Sequence, residues 1–152
     1  MAAFTDAVHD ALADALAKRL PEFDWTTEER VRRTPVDVAG KTADRRVFVE
    51  VEMRRADPAN NPVKLARYAD AGDFDRPVLL VQAFSDYYAL DAGGVSSKRA
   101  NAEFVGGLAD DHVPGFAYRA LDLSLAPPKH GEYAEEWRPA VAALADRIAG
   151  SV

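Results

Sequence analysis

The sequence predicts an α/β protein, with a mixed β-sheet carrying helices on both faces in the order α-β-β-β-α-β-α-β-α. Three observations carry that prediction. Arg46–Arg54 alternates with period two and Pro77–Phe84 is almost continuously apolar, as a half-buried and a fully covered strand would be. Helix-length segments with apolar residues every three or four positions separate or flank these runs. A length of 152 residues, 48% hydrophobic and 29% charged, fits one globular domain over residues 1–152 with a substantial core.

The elements follow in chain order. Phe4–Leu20 reads as a helix because Phe4, Val8, Leu12 and Leu16 repeat every four residues, with Thr5 as a cap and Pro21 as the stop. Trp25–Thr34 is charged and β-prone, an edge strand, and Pro35–Ala39 continues as a short strand before the turn Gly40–Asp44. In Arg46–Arg54, Val47, Val49, Val51 and Met53 form one face, while Phe48, Glu50, Glu52 and Arg54 form the other. Asn61-Pro62 signals a helix start, a capping amide before a proline, and the helix reaches about Ala71 with Val63, Leu65 and Tyr68 as packing residues. Pro77–Phe84 is the central strand. A helix opens at Ser96 or Ser97 and runs to about Asp111, weakened near its end by Gly106-Gly107. Phe116–Leu125 is a strand. Tyr133–Ile148 closes the chain as a helix with Trp137, Val141, Leu144 and Ile148 on one stripe, which is core or, if exposed, a dimer surface.

Composition removes several function classes. The absence of cysteine excludes disulfides, thiolate zinc sites and thiol nucleophiles. His9, His112 and His130 have no metal-ligand spacing; His9 reads as a surface or packing residue. No apolar run approaches the roughly 20 residues that span a bilayer, and Met-Ala-Ala-Phe-Thr-Asp lacks a signal-peptide pattern, so the expectation is a cytoplasmic protein without membrane contact. The net charge is −6, yet Glu28–Arg67 holds ten basic and seven acidic residues, a local +3 that can meet a phosphate backbone.

The chemistry concentrates in three acids. Glu50 and Glu52 are two apart on a strand and leave the same face, opposite the valines. Like charges that close raise each other's pKa, a cost that a divalent cation removes. Asp37 joins them if the hairpin parity is even. A loop of Lys41–Asp44 sets Asp37 opposite Phe48, beside Glu50; a loop two residues longer sets Asp37 opposite Glu50; an odd loop or a bulge sends it to the other face.

The string Pro35-Val36-Asp37 followed on the next strand by Glu50-Val51-Glu52 resembles the PD-(D/E)XK nuclease superfamily, whose fold is called restriction-endonuclease-like. The family's core of helix, three-stranded meander, helix and strand resembles the order from Phe4 to about Phe84. The resemblance implies a Mg²⁺-dependent endonuclease acting on DNA, with Mn²⁺ as a substitute metal. It implies Asp37 and Glu50 as ligands with the Val51 carbonyl, and a homodimer as a further expectation. One departure stands out: the third catalytic position, usually Lys, is Glu52, a variation known in the superfamily. Glu52 is then a ligand or the base, or Lys64 on the following helix supplies the ammonium. Arg54, Arg55, Asn61 and Arg67 are the expected substrate-binding residues. Two other readings stay open. One is a catalytically inactive nuclease-fold domain that binds nucleic acid or a protein partner; in the other, the strand acids and Lys64 are solvated surface. Tyr87 and Tyr88, just past the central strand, are substrate contacts or packing.

Overall fold

The computed structural model describes residues 2–129 and 131–152; His130 lies outside the described residues. The elements are α1 (Ala2–Arg19), β1 (Asp24–Val31), β2 (Thr34–Lys41), β3 (Arg46–Glu52), α2 (Asn60–Asp70), β4 (Val78–Phe84), α3 (Ser97–His112), β5 (Phe116–Asp122) and α4 (Trp137–Ser151), with a 3-10 turn at Asp86–Tyr88. The strands form one sheet in the order β1-β2-β3-β4-β5. β1, β2 and β3 pair antiparallel, and β3, β4 and β5 pair parallel. This is the α/β class, mixed sheet and element order expected from the sequence.

Strand periodicity sorts the core into two layers. Val47, Val49 and Val51 of β3, with Met53 just past its end, pack with Phe4, Val8, Leu12 and Leu16 of α1 and with Trp137, Val141, Leu144 and Ile148 of α4. Trp137 is therefore core and offers no dimer surface. Phe48, Leu80, Phe116 and Tyr118 pack on the other side with Leu65 and Ala66 of α2 and Ala109 of α3. Every residue of β4 is buried, as its apolar run predicts.

Several boundaries differ for identifiable reasons. β1 and β2 are joined by a tight turn at Arg32-Arg33, closed by the Val31–Thr34 pair; Arg32 takes a φ of 56°, and no turn residue announces it. α1 starts before Thr5, so Thr5 is not its cap. α2 begins at Asn60, and Asn61 lies inside its first turn, where its side chain bonds Glu52 instead of capping the helix. Val63 is exposed, so Leu65 and Ala66, not Val63, pack that helix. α3 runs unbroken through Gly106-Gly107. Gly106 is required there, since a Cβ would sit 2.5 Å from carbons of the Tyr118 ring.

The β2–β3 hairpin sets the site. Its loop is Thr42–Arg45, one residue later than expected, because Lys41 pairs with Arg46. The Thr42 hydroxyl organises that turn by accepting from the backbone N–H of Asp44 (3.1 Å) and Arg45 (3.2 Å). Val38 pairs with Val49, so one more step of this register sets Asp37 opposite Glu50.

Candidate functional site

Asp37 stands where two ladders lapse. The β1–β2 pairing skips Glu28 and Asp37, and Glu28 takes a φ of 54°. The β2–β3 pairing runs no further than Val38–Val49. Val36 belongs to the core layer of α2 and α3, whereas Val38 belongs to that of α1 and α4. On a regular strand, residues two apart share a face, so β2 turns over at Asp37. The freed carboxylate takes over a ladder hydrogen bond: the Val51 N–H donates to Asp37 Oδ2 at 2.8 Å. That bond fastens the aspartate to β3 at the level of Glu50 and Glu52.

Glu50 lies behind it, 2% exposed, and its Oε1 has no hydrogen-bond partner among the described residues. Burial raises the Glu50 pKa well above the usual carboxylate range, the negative charges of Asp37 and Glu52 raise it further, and a side-chain hydrogen bond with Asp37 adds to the shift; Arg55 opposes it. An ionised carboxylate so placed is costly unless a cation or a proton meets it.

Glu52 is equally buried and differently employed. Its Oε2 accepts from Gln82 Nε2 (2.5 Å) and Asn61 Nδ2 (3.0 Å), and its Oε1 lies 3.7 Å from Arg55 Nε. Gln82 is itself fixed: Nε2 also donates to the Pro58 carbonyl (2.8 Å), and Oε1 accepts from the Tyr118 hydroxyl (2.7 Å). Burial raises the Glu52 pKa, while the two amide hydrogen bonds and Arg55 pull it back. Glu52 is the acceptor hub of a connected polar core.

Thr5, His9, Asp37, Val51, Glu52, Met53, Arg54 and Arg55 line a cleft of about 240 Å³ at this point. His9 reaches it from α1; it is 5% exposed, neither ring nitrogen has a hydrogen-bond partner among the described residues, and Nε2 is 3.7 Å from Asp37 Oδ2. It is not a surface residue. Among the described residues no three His, Asp or Glu side chains form a ready ligand group. What the structure brings together is the Asp37–Glu50 pair with His9 beside it, and Glu52 anchored on the cleft wall.

The remaining expected residues divide by location. Arg54 and Arg55 are exposed on the cleft rim. Arg54 donates to the Pro127 carbonyl (3.2 Å), and Arg55 donates to Asn61 Oδ1 (3.4 Å). Asn61 is buried, and both of its polar atoms serve the Glu52 network. Lys64 lies three residues after Asn61, hence on the same side of α2, and is half-buried; Arg67 is exposed beyond it. Sequence reasoning missed His9 and Gln82. The one signal for Gln82 was a lone amide inside an apolar strand, which must find partners when buried.

Among the described residues no helix is long and apolar enough to cross a membrane. The sequence matches no protein-family model and no curated protein. Among solved structures, that of Pyrococcus furiosus SfsA in complex with Ca²⁺ is similar, at 17% identity and a TM-score of 0.43 over 85% of this chain and 60% of that one. The chain thus spans less than two thirds of the length of that structure.

Proposed function

We propose that this chain is a nuclease-fold protein that hydrolyses DNA phosphodiester bonds with a divalent cation, Mg²⁺ or Mn²⁺, held by Asp37 and Glu50. The observation that carries the reading is Glu50 Oε1: a carboxylate oxygen, sealed from water and without a donor, beside a second carboxylate. Two hard oxygen donors of this kind suit Mg²⁺ or Mn²⁺, and the Val51 carbonyl and a His9 nitrogen are the neighbouring donors that could join them. A bound cation would neutralise the pair, polarise a phosphate oxygen and lower the pKa of an attacking water.

The chain's own residues do the rest. Asp37 is held in place by the Val51 N–H. Glu52, fixed by Asn61 and Gln82, forms part of the cleft wall and approaches Arg55 on the rim at 3.7 Å. Arg54 and Arg55 are exposed on the cleft rim, where they would hold flanking phosphates, and Lys64 and Arg67, three apart on α2, would add to that positive side.

Glu52 also favours a second reading. The position that carries Lys in the resembling nucleases is here an acid committed to two amides, which suits a catalytically inactive domain that binds nucleic acid or a protein partner. Supercoiled plasmid separates the two. Nicking that needs Mg²⁺ or Mn²⁺ and disappears in Glu50→Gln supports hydrolysis. A retarded but uncut plasmid, equal in wild type and Glu50→Gln, supports the inactive binder and overturns the enzyme.

A further inference from the structure

Beside the cleft, where β3 and β4 end, lies a cluster that the acid pair does not use. Tyr87 sits in the turn after β4 and is 42% exposed, although its ring is held firmly. The ring meets the edge of Tyr88 at 5.1 Å and 89°, and Tyr88 in turn meets Phe84 at 5.3 Å and 83°. The Tyr87 backbone N–H donates to Ser85 Oγ, and the buried Ser85 hydroxyl donates to the Met53 carbonyl. Tyr88 donates to the Arg55 carbonyl at 2.8 Å. The aromatic step is thus bolted to the strand end that carries Arg54 and Arg55.

Two cations attend this ring. The Arg54 guanidinium lies 5.6 Å from the Tyr87 ring centre. Lys98 Nζ donates to the Tyr87 hydroxyl at 3.1 Å and lies 5.3 Å from the ring centre, so it stands off the hydroxyl edge and not over the face. Neither forms an ion pair among the described residues, whereas Arg46 and Arg99 are both paired. Arg54 also lines the acid cleft, which makes the aromatic step and the cleft one continuous surface.

We propose that Tyr87 is a stacking platform for an unpaired base of a nucleic-acid strand, with Arg54 and Lys98 holding the phosphates on either side. The choice of ligand rests on the phosphodiester chemistry proposed above. An exposed, pre-ordered ring between unpaired cations is complementary to a strand that offers base faces and phosphates together. A duplex hides its base faces, so the preference is for single-stranded or frayed substrate. A protein partner would meet these cations with carboxylates, and nothing in its binding would depend on whether bases are paired.

The test uses a labelled oligothymidine and a duplex of equal length, followed by fluorescence anisotropy in EDTA so that nothing is cut. Wild type should bind the single strand more tightly than the duplex. Tyr87→Ala should weaken single-strand binding by roughly 5- to 150-fold, with duplex binding almost unchanged, while Tyr87→Phe stays within about threefold of wild type. Lys98→Ala should lower the slope of log K against log salt by about 0.7. Because Tyr87 is half exposed, both variants should melt with wild type. Equal binding of Tyr87→Ala and wild type, equal losses on duplex and single strand, or a Tyr87→Phe loss as large as that of Tyr87→Ala would overturn the platform. Tyr87-dependent binding in a protein that never cleaves would sustain the platform and sink the chemistry.

Discussion

Replacing Glu50 by Gln should stabilise the metal-free protein at alkaline pH, the reverse of what removing a buried polar partner usually does. The folded chain holds the Glu50 proton more tightly than the unfolded chain, because burial and the charges of Asp37 and Glu52 raise its pKa well above the ordinary value. Stability is therefore full below the unfolded carboxylate pKa of about 4.3 and declines as pH rises toward the folded pKa. Each unit of difference is worth about 1.4 kcal/mol. A buried charge lacking a donor on one oxygen implies a penalty of about 1–3 kcal/mol at pH 8. Gln carries no charge and can donate to Asp37, so the variant should melt roughly 2–10 °C above wild type at pH 8 in EDTA. At pH 4 the two should coincide. Glu52 shifts in the same direction, so the variant flattens the pH dependence without abolishing it. Calorimetric melting across that pH range is the assay. A Glu50→Gln protein less stable than wild type at pH 8 would show that the Glu50 charge is not the buried liability described.

Two further perturbations test the frame. Glu52→Ala leaves the buried amides of Gln82 and Asn61 without their acceptor and should cost about 2–4 kcal/mol by urea denaturation, whereas Glu52→Gln keeps one acceptor oxygen and should cost less than half as much. Gly106→Ala drives a methyl into the Tyr118 ring and should destabilise by about 1–3 kcal/mol, while Gly107→Ala, with open space around it, should stabilise by roughly 0.5–1 kcal/mol.

The topology was legible because periodicity is a local property. Val47, Val49 and Val51 alternating with Phe48 and Glu50 fixed a two-faced strand, and the four-residue repeat from Phe4 to Leu16 fixed the helix that covers one face. An even loop would place Asp37 near Glu50 and an odd one would send it to the other face, and the sequence could not choose between them; the observed turn is Thr42–Arg45, with the Thr42 hydroxyl accepting from two of its backbone N–H groups. What stayed hidden was non-local. Gln82 read as one more residue of an apolar run because its partners, Glu52 and Tyr118, come from strands 30 and 36 residues away. His9 read as surface or packing, and not as a neighbour of the acids, because nothing along α1 says that β2 turns over at Asp37. Asn61 looked like a cap because the cap is the local use of an asparagine, and its bond to Glu52 depends on how α2 sits on the sheet.

The acid pair itself is tested most directly by diffraction from crystals grown with Mn²⁺, using its anomalous signal. One strong peak is expected between the Asp37 and Glu50 carboxylates, and it should vanish in Glu50→Gln. A peak that survives the substitution, or no peak beside these two acids at saturating Mn²⁺, would contradict a metal held by this pair.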